Sequence, residues 1–148
     1  MANAPSVPTP AGSAGSREIR IVNTIAEMAR VAELVDSFGA DHKLPQSVIV
    51  ALNVSLDEVL NNIISYGYDD ASRHDIVVRL EFKREQVEVV VEDDGRPFDP
   101  LAAPEPDLKD KSRTGGVGLH FVRKLTDGMK YARRNGINQL RLTKKLTA

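Results

Sequence analysis

The residues best suited to chemistry lie on one predicted helix, where Glu58 and Asn62 stand four positions apart. Residues at that spacing lie one above the other on the same helix face. A carboxylate beside a carboxamide can serve as a general base or as part of a cation site. Such a pair is more often an ordinary solvated face, so its meaning depends on the rest of the chain.

A second candidate follows an apolar, strand-like run, in the segment Glu92-Asp93-Asp94-Gly95. A carboxylate at Asp93 can accept a hydrogen bond from an exocyclic amino group such as that of adenine, and a charged hydrogen bond contributes about 1.5–3 kcal/mol. Gly95 lets the backbone pass close to a flat ring because glycine has no Cβ. The same residues are also typical of a simple turn.

A third candidate is the glycine-rich segment that contains Gly115, Gly116 and Gly118 and leads into a predicted helix. Glycines allow backbone N–H groups to converge on an anion, and a helix N-terminus adds positive potential. The segment is neither a Walker A loop nor a dinucleotide fingerprint, since it lacks the Gly-Lys-Ser/Thr sequence and a third spaced glycine after a strand. It therefore indicates a phosphate site or a flexible hinge.

Strands alternate with helices around these candidates. Strict apolar alternation predicts a hairpin from 75–83 to a strand containing Val87, Val89 and Val91, and the Asn135-Gly136 turn predicts a second hairpin of strands 128–133 and 138–146. Residues 17–22 predict a further strand, at an edge of the sheet. The element order predicts an α/β (α+β) fold: a two-layer sandwich with a mixed, mostly antiparallel sheet and helices on one face.

Three helices complete this prediction. The first begins after a cap at Asn23 or Thr24 and ends at Phe38-Gly39, the second runs from Pro45 to about Tyr66 and stops at Gly67, and the third spans 117–125. The buried stripe predicted for the first helix is Ile25, Met28, Ala29, Ala32, Leu34 and Val35.

The composition of the chain limits the number of domains and argues against several classes of function. The 148 residues fit one domain, at 17–148, after a disordered leader at 1–16 rich in Ala, Pro, Ser and Gly. A net charge of −1 argues against direct nucleic-acid binding. The lack of cysteine excludes disulfides and thiolate chemistry. No run predicts a membrane span or a signal peptide, so the expected location is cytoplasmic.

The three candidate stretches, at 52–68, 92–100 and 114–119, resemble in order and spacing the N-box, the D-x-G box and the G-x-G box of the Bergerat-fold (GHKL, histidine-kinase-like) ATPases. The closest resemblance is to the stand-alone anti-sigma factor serine/threonine kinases, over roughly residues 17–146. Phe98, Asp99 and Pro100 continue the D-x-G-x-x-F-D-P form of that branch.

The resemblance implies roles for individual residues. Glu58 would be the general base, Asn62 the ligand of Mg²⁺, and Asp93 the residue that recognises adenine. The implied site for ATP or ADP consists of Asn62, Asp93, Gly95, Gly115, Gly116, Val117, Gly118 and Leu119.

Two features near the site stay open. The loop Leu101 to Arg113 is either a lid or an ordinary surface connection, and its basic residues Lys109, Lys111 and Arg113 either add charge to the phosphates or are simply solvated. The family often has histidine where Tyr66 stands, a mild departure.

The resemblance also implies partners: a STAS-type anti-sigma-factor antagonist that is phosphorylated, a sigma factor or other regulatory target that is sequestered, and a second copy of the chain in a homodimer. The alternatives are a nucleotide-binding, partner-switching module with little transfer activity and a process other than a sigma factor as its target, or an α/β protein with coincidental glycine loops. The histidines, at 42, 74 and 120, lie in no context typical of a phosphoacceptor, which argues against a complete histidine kinase.

Overall fold

The computed structural model describes residues 15–100 and 117–147. Five strands and three α-helices form in these ranges, with one short 3-10 turn at Ile25–Glu27. Their bounds are β1 Ser16–Val22, α1 Met28–Asp41, α2 Gln46–Tyr66, β2 Asp75–Lys83, β3 Gln86–Asp93, α3 Val117–Leu125, β4 Gly128–Arg134 and β5 Ile137–Lys145.

The strands form one sheet in the order β1-β2-β3-β5-β4. Each pairing in the described ranges is antiparallel, so the sheet lacks there the parallel component that the prediction of a mixed sheet allowed. The predicted two-layer α+β sandwich is confirmed, and β1 lies at an edge as predicted. Because β5 inserts between β3 and β4, the chain after α3 returns beside the end of β3, where Asp93 lies.

Strict alternation along the strands gives the sheet one apolar face, which the helices cover. The buried set on this face includes Ile21, Ile76, Val78, Val89, Val91 and Leu142. The helices contribute Val35, Phe38, Leu52, Leu56, Val59 and Val122 to the same core. In the strands every second residue is buried, and in the helices buried residues recur every three or four positions. An antiparallel sheet covered by helices on one side requires this pattern.

The prediction for α1 was partly wrong. Ile25, Ala29 and Ala32 are exposed, and the buried stripe is Val31, Val35 and Phe38, with Met28 and Leu34 partly buried. The inward face of the regular helix follows Val31, Val35 and Phe38 in steps of four and three residues, and Ile25 lies before the helix in the 3-10 turn. The helix also continues to Asp41, past the predicted end at Phe38-Gly39.

The predicted cap of this helix is also wrong. Neither Thr24 nor Glu27 makes a side-chain capping bond. The Asn23 side chain instead accepts from the His74 backbone N–H, at 2.9 Å, and donates to the Ser72 carbonyl. It therefore fastens β1 to the loop before β2.

Helix α2 spans Gln46–Tyr66: Pro45, predicted as its first residue, is the N-cap, and the helix stops at the C-cap Gly67 as predicted. By length and composition alone it could cross a membrane, although the sequence contained no run that predicted a span. It lies against the sheet with Leu52, Leu56 and Val59 in the core, the position of a central core helix.

At the N-terminus, Ser16 is only 1% exposed and opens β1, so it belongs to the sheet and not to the predicted leader. Residues 1–14 lie outside the described ranges.

Candidate functional site

The middle of α2 faces the start of α3 through Glu58 and Gly118. A Cβ added at Gly118 would collide with Oε2 of Glu58, so the carboxylate lies directly against the glycine backbone. Gly118 is the second residue of α3, where helix N–H groups have no partner within the helix. The structure thus brings the carboxylate of the first candidate stretch to the phosphate-type helix start of the third.

The C-terminal end of α2 meets the second candidate stretch. The Gly67 carbonyl accepts a hydrogen bond from the Arg96 backbone N–H at 2.7 Å. A Cβ at Gly95 would lie 2.6 Å from that carbonyl oxygen and 2.9 Å from Oδ1 of Asp93. Since both contacts are shorter than a carbon and an oxygen can approach, this close passage of the backbone requires glycine at residue 95.

Asp93 ends β3 on the helix-covered face and is 7% exposed. Its Oδ1 accepts from the Gly95 backbone N–H at 2.8 Å and from Asn138 Nδ2 at 3.0 Å. Burial raises the pKa of the Asp93 carboxyl, while the hydrogen bonds from Asn138 and Gly95 lower it. Neither of these two bonds uses Oδ2, so the carboxylate retains acceptor capacity for a ligand.

Asn138, which sequence reasoning missed, is the main partner of Asp93. It lies on β5 directly opposite Asp93 and is 6% exposed. The hydroxyl of Tyr131 and Nη1 of Arg133, both on β4, donate to its amide oxygen. One feature of the sequence could have indicated this role. Residue 138 is polar, although it belongs to the inward-facing set of strand positions that continues with Leu140 and Leu142.

A second polar cluster supports the same loop from outside. Nδ1 of His74 lies 3.0 Å from Oδ1 of Asp94, and Nε2 lies 2.9 Å from Oδ1 of Asp70. The ring of His74 stacks on Tyr68 at a centroid distance of 4.2 Å. Hydrogen bonds to Asp70 and then to Asp94 raise the pKa of His74. The cluster therefore joins the loop after α2 to the segment that follows β3.

Asn62 is half-buried on α2, one turn beyond Glu58. Along the chain it lies between Glu58, which is next to α3, and Gly67, which is next to Gly95. The four residues from Glu58 to Asn62 correspond to a rise of about 6 Å along the helix axis. Asn61, which was not assigned to the predicted site, is exposed and accepts a hydrogen bond from Ser65.

The predicted glycine segment is only partly described. Gly115 and Gly116 lie outside the described residues, as does the predicted loop from Leu101 to Arg113 with Lys109 and Lys111. Val117 is the first residue of α3. The Leu119 side chain is buried in the core, so only its backbone can serve a ligand.

A separate groove of about 600 Å³ opens on the uncovered face of the sheet, where Arg20, Val77 and Glu92 lie side by side. Asp93 and His74 form part of its wall. It lies on the far side of the sheet from α2 and its lining includes neither Glu58 nor Asn62, so the groove is not the predicted site.

The donor set fits Mg²⁺ held mainly by a nucleotide. Residues 15–100 and 117–147 contain no group of three or more His, Asp or Glu side chains placed to hold a metal. Mg²⁺ usually takes one or two protein ligands and completes its shell with phosphates and water. An amide oxygen from Asn62 suits that arrangement.

The family described as the histidine kinase-like ATPase domain matches residues 21–144. The serine/threonine-protein kinase BtrW of Bordetella bronchiseptica is 35% identical over 95 residues, 62% of this chain and 67% of that protein. The serine-protein kinase RsbW of Bacillus velezensis is 27% identical over 94 residues, 58% of each chain.

Among solved structures, that of the RsbU and RsbW domains of a Mycobacterium tuberculosis protein superposes with a TM-score of 0.66 at 21% identity. The match covers 94% of this chain and 33% of that one. At this identity the likeness shows the fold alone.

Proposed function

Because the chain belongs to the histidine kinase-like ATPase domain family, we propose that it is an ATP- and Mg²⁺-dependent protein serine/threonine kinase that acts on a small STAS-type anti-sigma-factor antagonist. The observation that carries the proposal is the contact between Glu58 and Gly118, because it joins a general-base carboxylate to a phosphate-type helix start. Kinase activity is supported by the names of the relatives, each of which is a serine or serine/threonine kinase.

Adenine recognition is assigned to Asp93, with Gly95 as the residue over which the base lies. A buried carboxylate with one oxygen bonded within the protein can accept from an exocyclic amino group through the other. Guanine carries a carbonyl where adenine has its 6-amino group, and a carboxylate facing that carbonyl would be left without a donor. The site should therefore prefer ATP over GTP, since an unpaired buried polar group is costly.

Phosphate binding is assigned to the backbone of Val117, Gly118 and Leu119 at the start of α3, together with Gly115 and Gly116, which precede them in the sequence. Helix N–H groups attract anions, and glycine at 118 removes the side chain that would block the approach. Asn62 would supply an amide oxygen to the Mg²⁺ ion, which when bound offsets the charge of the phosphates.

Glu58 would act as the general base. In the transfer, a bond forms between the serine oxygen of the partner and the γ-phosphorus, the bond from that phosphorus to the β–γ bridging oxygen breaks, and ADP leaves. The Glu58 carboxylate accepts the hydroxyl proton. Its position beside Gly118 supports this role, because the γ-phosphate is expected near the start of α3.

The partner-switching assignment rests on the relatives. The likeness to the Bacillus serine-protein kinase RsbW supports an antagonist as substrate and a sigma factor or other regulatory protein as the sequestered target. β1 at the sheet edge supports a homodimer, because an edge strand offers unpaired backbone groups. The cytoplasm is the matching location for such partners.

The first experiment is calorimetric titration of the purified chain with ATP, with and without Mg²⁺, and with GTP as the control nucleotide. Saturable, Mg²⁺-dependent binding that prefers ATP supports the proposal, and labelled ATP with antagonist proteins then tests transfer. ATP binding without transfer to any antagonist would favour a nucleotide-controlled binding module. No binding at millimolar ATP would refute the nucleotide site.

A further inference from the structure

We propose that Asn138 is a positioning residue for base recognition: it fixes the orientation of the Asp93 carboxylate by occupying Oδ1 and leaves Oδ2 for the amino group of the base. The inference rests on the proposed nucleotide site, since it explains how that site presents its acceptor. Asn138 has no position in any of the three candidate stretches, and it comes 45 residues after Asp93 in the chain.

The first support is the reach of one amide group. Asn138 Nδ2 lies 3.0 Å from Oδ1 of Asp93, 3.2 Å from the Gly95 carbonyl oxygen and 2.9 Å from the Arg96 carbonyl oxygen. A single side chain therefore holds both the carboxylate and the backbone that turns after it. The register of β3 and β5 places Asn138 opposite Asp93, so the contact is built into the sheet.

The second support is that the direction of the amide is fixed by chemistry. Arg133 Nη1 lies 2.9 Å from one end of the Asn138 amide, and a guanidinium can only donate hydrogen bonds. That end must be the oxygen, so the NH₂ end faces Asp93. The Tyr131 hydroxyl donates to the same oxygen, and Arg133 also donates to the Gly95 carbonyl at 2.9 Å.

The third support is the matching of acceptor and donor. In a buried pocket an ionised carboxylate is costly unless donors surround it. Asn138 and the Gly95 N–H supply donors to Oδ1 only. A ligand that brings its own donor to Oδ2 completes the set, whereas a ligand with an acceptor there does not.

The chain offers a matched control one residue along β5. Gln139 Nε2 donates to Oε2 of Glu92 at 2.8 Å, an amide-to-carboxylate bond across the same strand pair. The pair lies on the opposite face of the sheet, away from Asp93. Asn138→Leu and Gln139→Leu therefore remove the same kind of bond from two faces of one strand.

The direct test needs no nucleotide. The Asp93 carboxyl is titrated by carbon NMR in the wild type, in Asn138→Leu and in Gln139→Leu, after circular dichroism has verified that each is folded. We expect the pKa of Asp93 to rise in Asn138→Leu alone, because it loses a donor to the charged form. An unchanged pKa in Asn138→Leu overturns the inference. If that variant does not fold, Asn138→Ser, which keeps a small polar side chain, takes its place.

The second readout is the affinity for ATP and GTP as a function of pH. We expect Asn138→Leu to lose about tenfold or more in ATP affinity, the loss of one charged hydrogen bond, and to shift the low-pH limit of binding upward. Gln139→Leu should match the wild type. Unchanged ATP affinity and pH profile in folded Asn138→Leu would make Asn138 structural only. If Asn138→Leu shifts the NMR titration but the wild type binds no ATP, the contact stands and the proposed function fails.

Discussion

The Glu58 carboxylate occupies the space beside Gly118 in which any other residue would carry its side chain. Glu58 lies in the middle of α2 and Gly118 is the second residue of α3, and β2 and β3 come between these two helices in the chain. The effect of a side chain at residue 118 depends on the atom that its Cβ would meet. The nearest atom to a new Cβ is the far end of a flexible side chain, which can rotate away.

Gly118→Ala should therefore displace Glu58 without unfolding the protein. We expect the free energy of unfolding to change by about 1 kcal/mol or less, while phosphotransfer falls at least about tenfold because the base has moved. Chemical denaturation and a labelled-ATP transfer assay measure the two effects. Gly128→Ala is the matched control, since a Cβ there would meet only the Thr143 side chain at an ordinary 3.5 Å. Full transfer by Gly118→Ala would remove this contact from the mechanism.

Gly95→Ala should behave in the opposite way. Its Cβ would meet the backbone oxygen of Gly67 at 2.6 Å, which cannot move without shifting the end of α2. We expect a loss of about 1–3 kcal/mol in unfolding free energy, together with weaker ATP binding. Denaturation and calorimetry against the same Gly128→Ala control test this. Wild-type stability in Gly95→Ala would mean that the loop relaxes freely.

Most helices and strands could be predicted because they depend on residues that are close together in the sequence. Period-two alternation identified β2, the Asn135-Gly136 turn joined β4 to β5 with positive φ at both residues, and α3 begins and ends at the predicted residues. The burial pattern of α1 was missed because the helix carries neighbouring sets of apolar residues, and the sequence alone does not show which set packs against the sheet.

The site was predicted only in part for a different reason. Glu58, Asp93 and Gly95 stand out because each carries its own chemistry near a turn or helix. Asn138 gains its role only from partners that the sheet brings together, so no local pattern identifies it. Its single trace is polarity at an inward strand position, which is equally typical of a buried structural amide.

Glu58→Gln separates chemistry from binding. The amide keeps the size of the side chain and the contact with Gly118, but it cannot accept the hydroxyl proton. We expect ATP affinity to stay within about threefold and transfer to fall by at least about a hundredfold, the lower range for loss of a general base. Calorimetry and single-turnover transfer to the antagonist measure both. Glu92→Gln, on the uncovered face of the sheet, is the control. Transfer at the wild-type rate would exclude Glu58 as the base.

We expect His74 to act as a pH-dependent brace between the loop after α2 and Asp94, the residue that directly follows Asp93. Its two ring nitrogens lie at hydrogen-bond distance from Asp94 and Asp70, and both can donate only when the ring is protonated. Ser72 also lies 3.1 Å from Nε2, and Tyr68 stacks on the ring. Hydrogen bonds to Asp70 and then to Asp94 raise the pKa of His74. Hydrogen bonds from Ser72 and then from His74 lower the pKa of Asp70 to about 2, so Asp70 stays ionised above pH 5.

The raised pKa fixes the sign of the effect. A histidine that binds its proton more tightly in the folded state stabilises the fold fully below its unfolded pKa, about 6.5, and this contribution is lost as pH rises through the higher folded pKa. His74→Phe keeps the stack on Tyr68 but removes both donors. We expect the unfolding free energy of the wild type to be higher than that of this variant. The difference should be largest at pH 5 to 6 and should shrink toward pH 9. Urea denaturation across that range measures it; His42→Phe, at a ring packed between Phe38 and Phe82, is the control. A difference that stays constant or grows with pH would show that protonated His74 does not brace the loop.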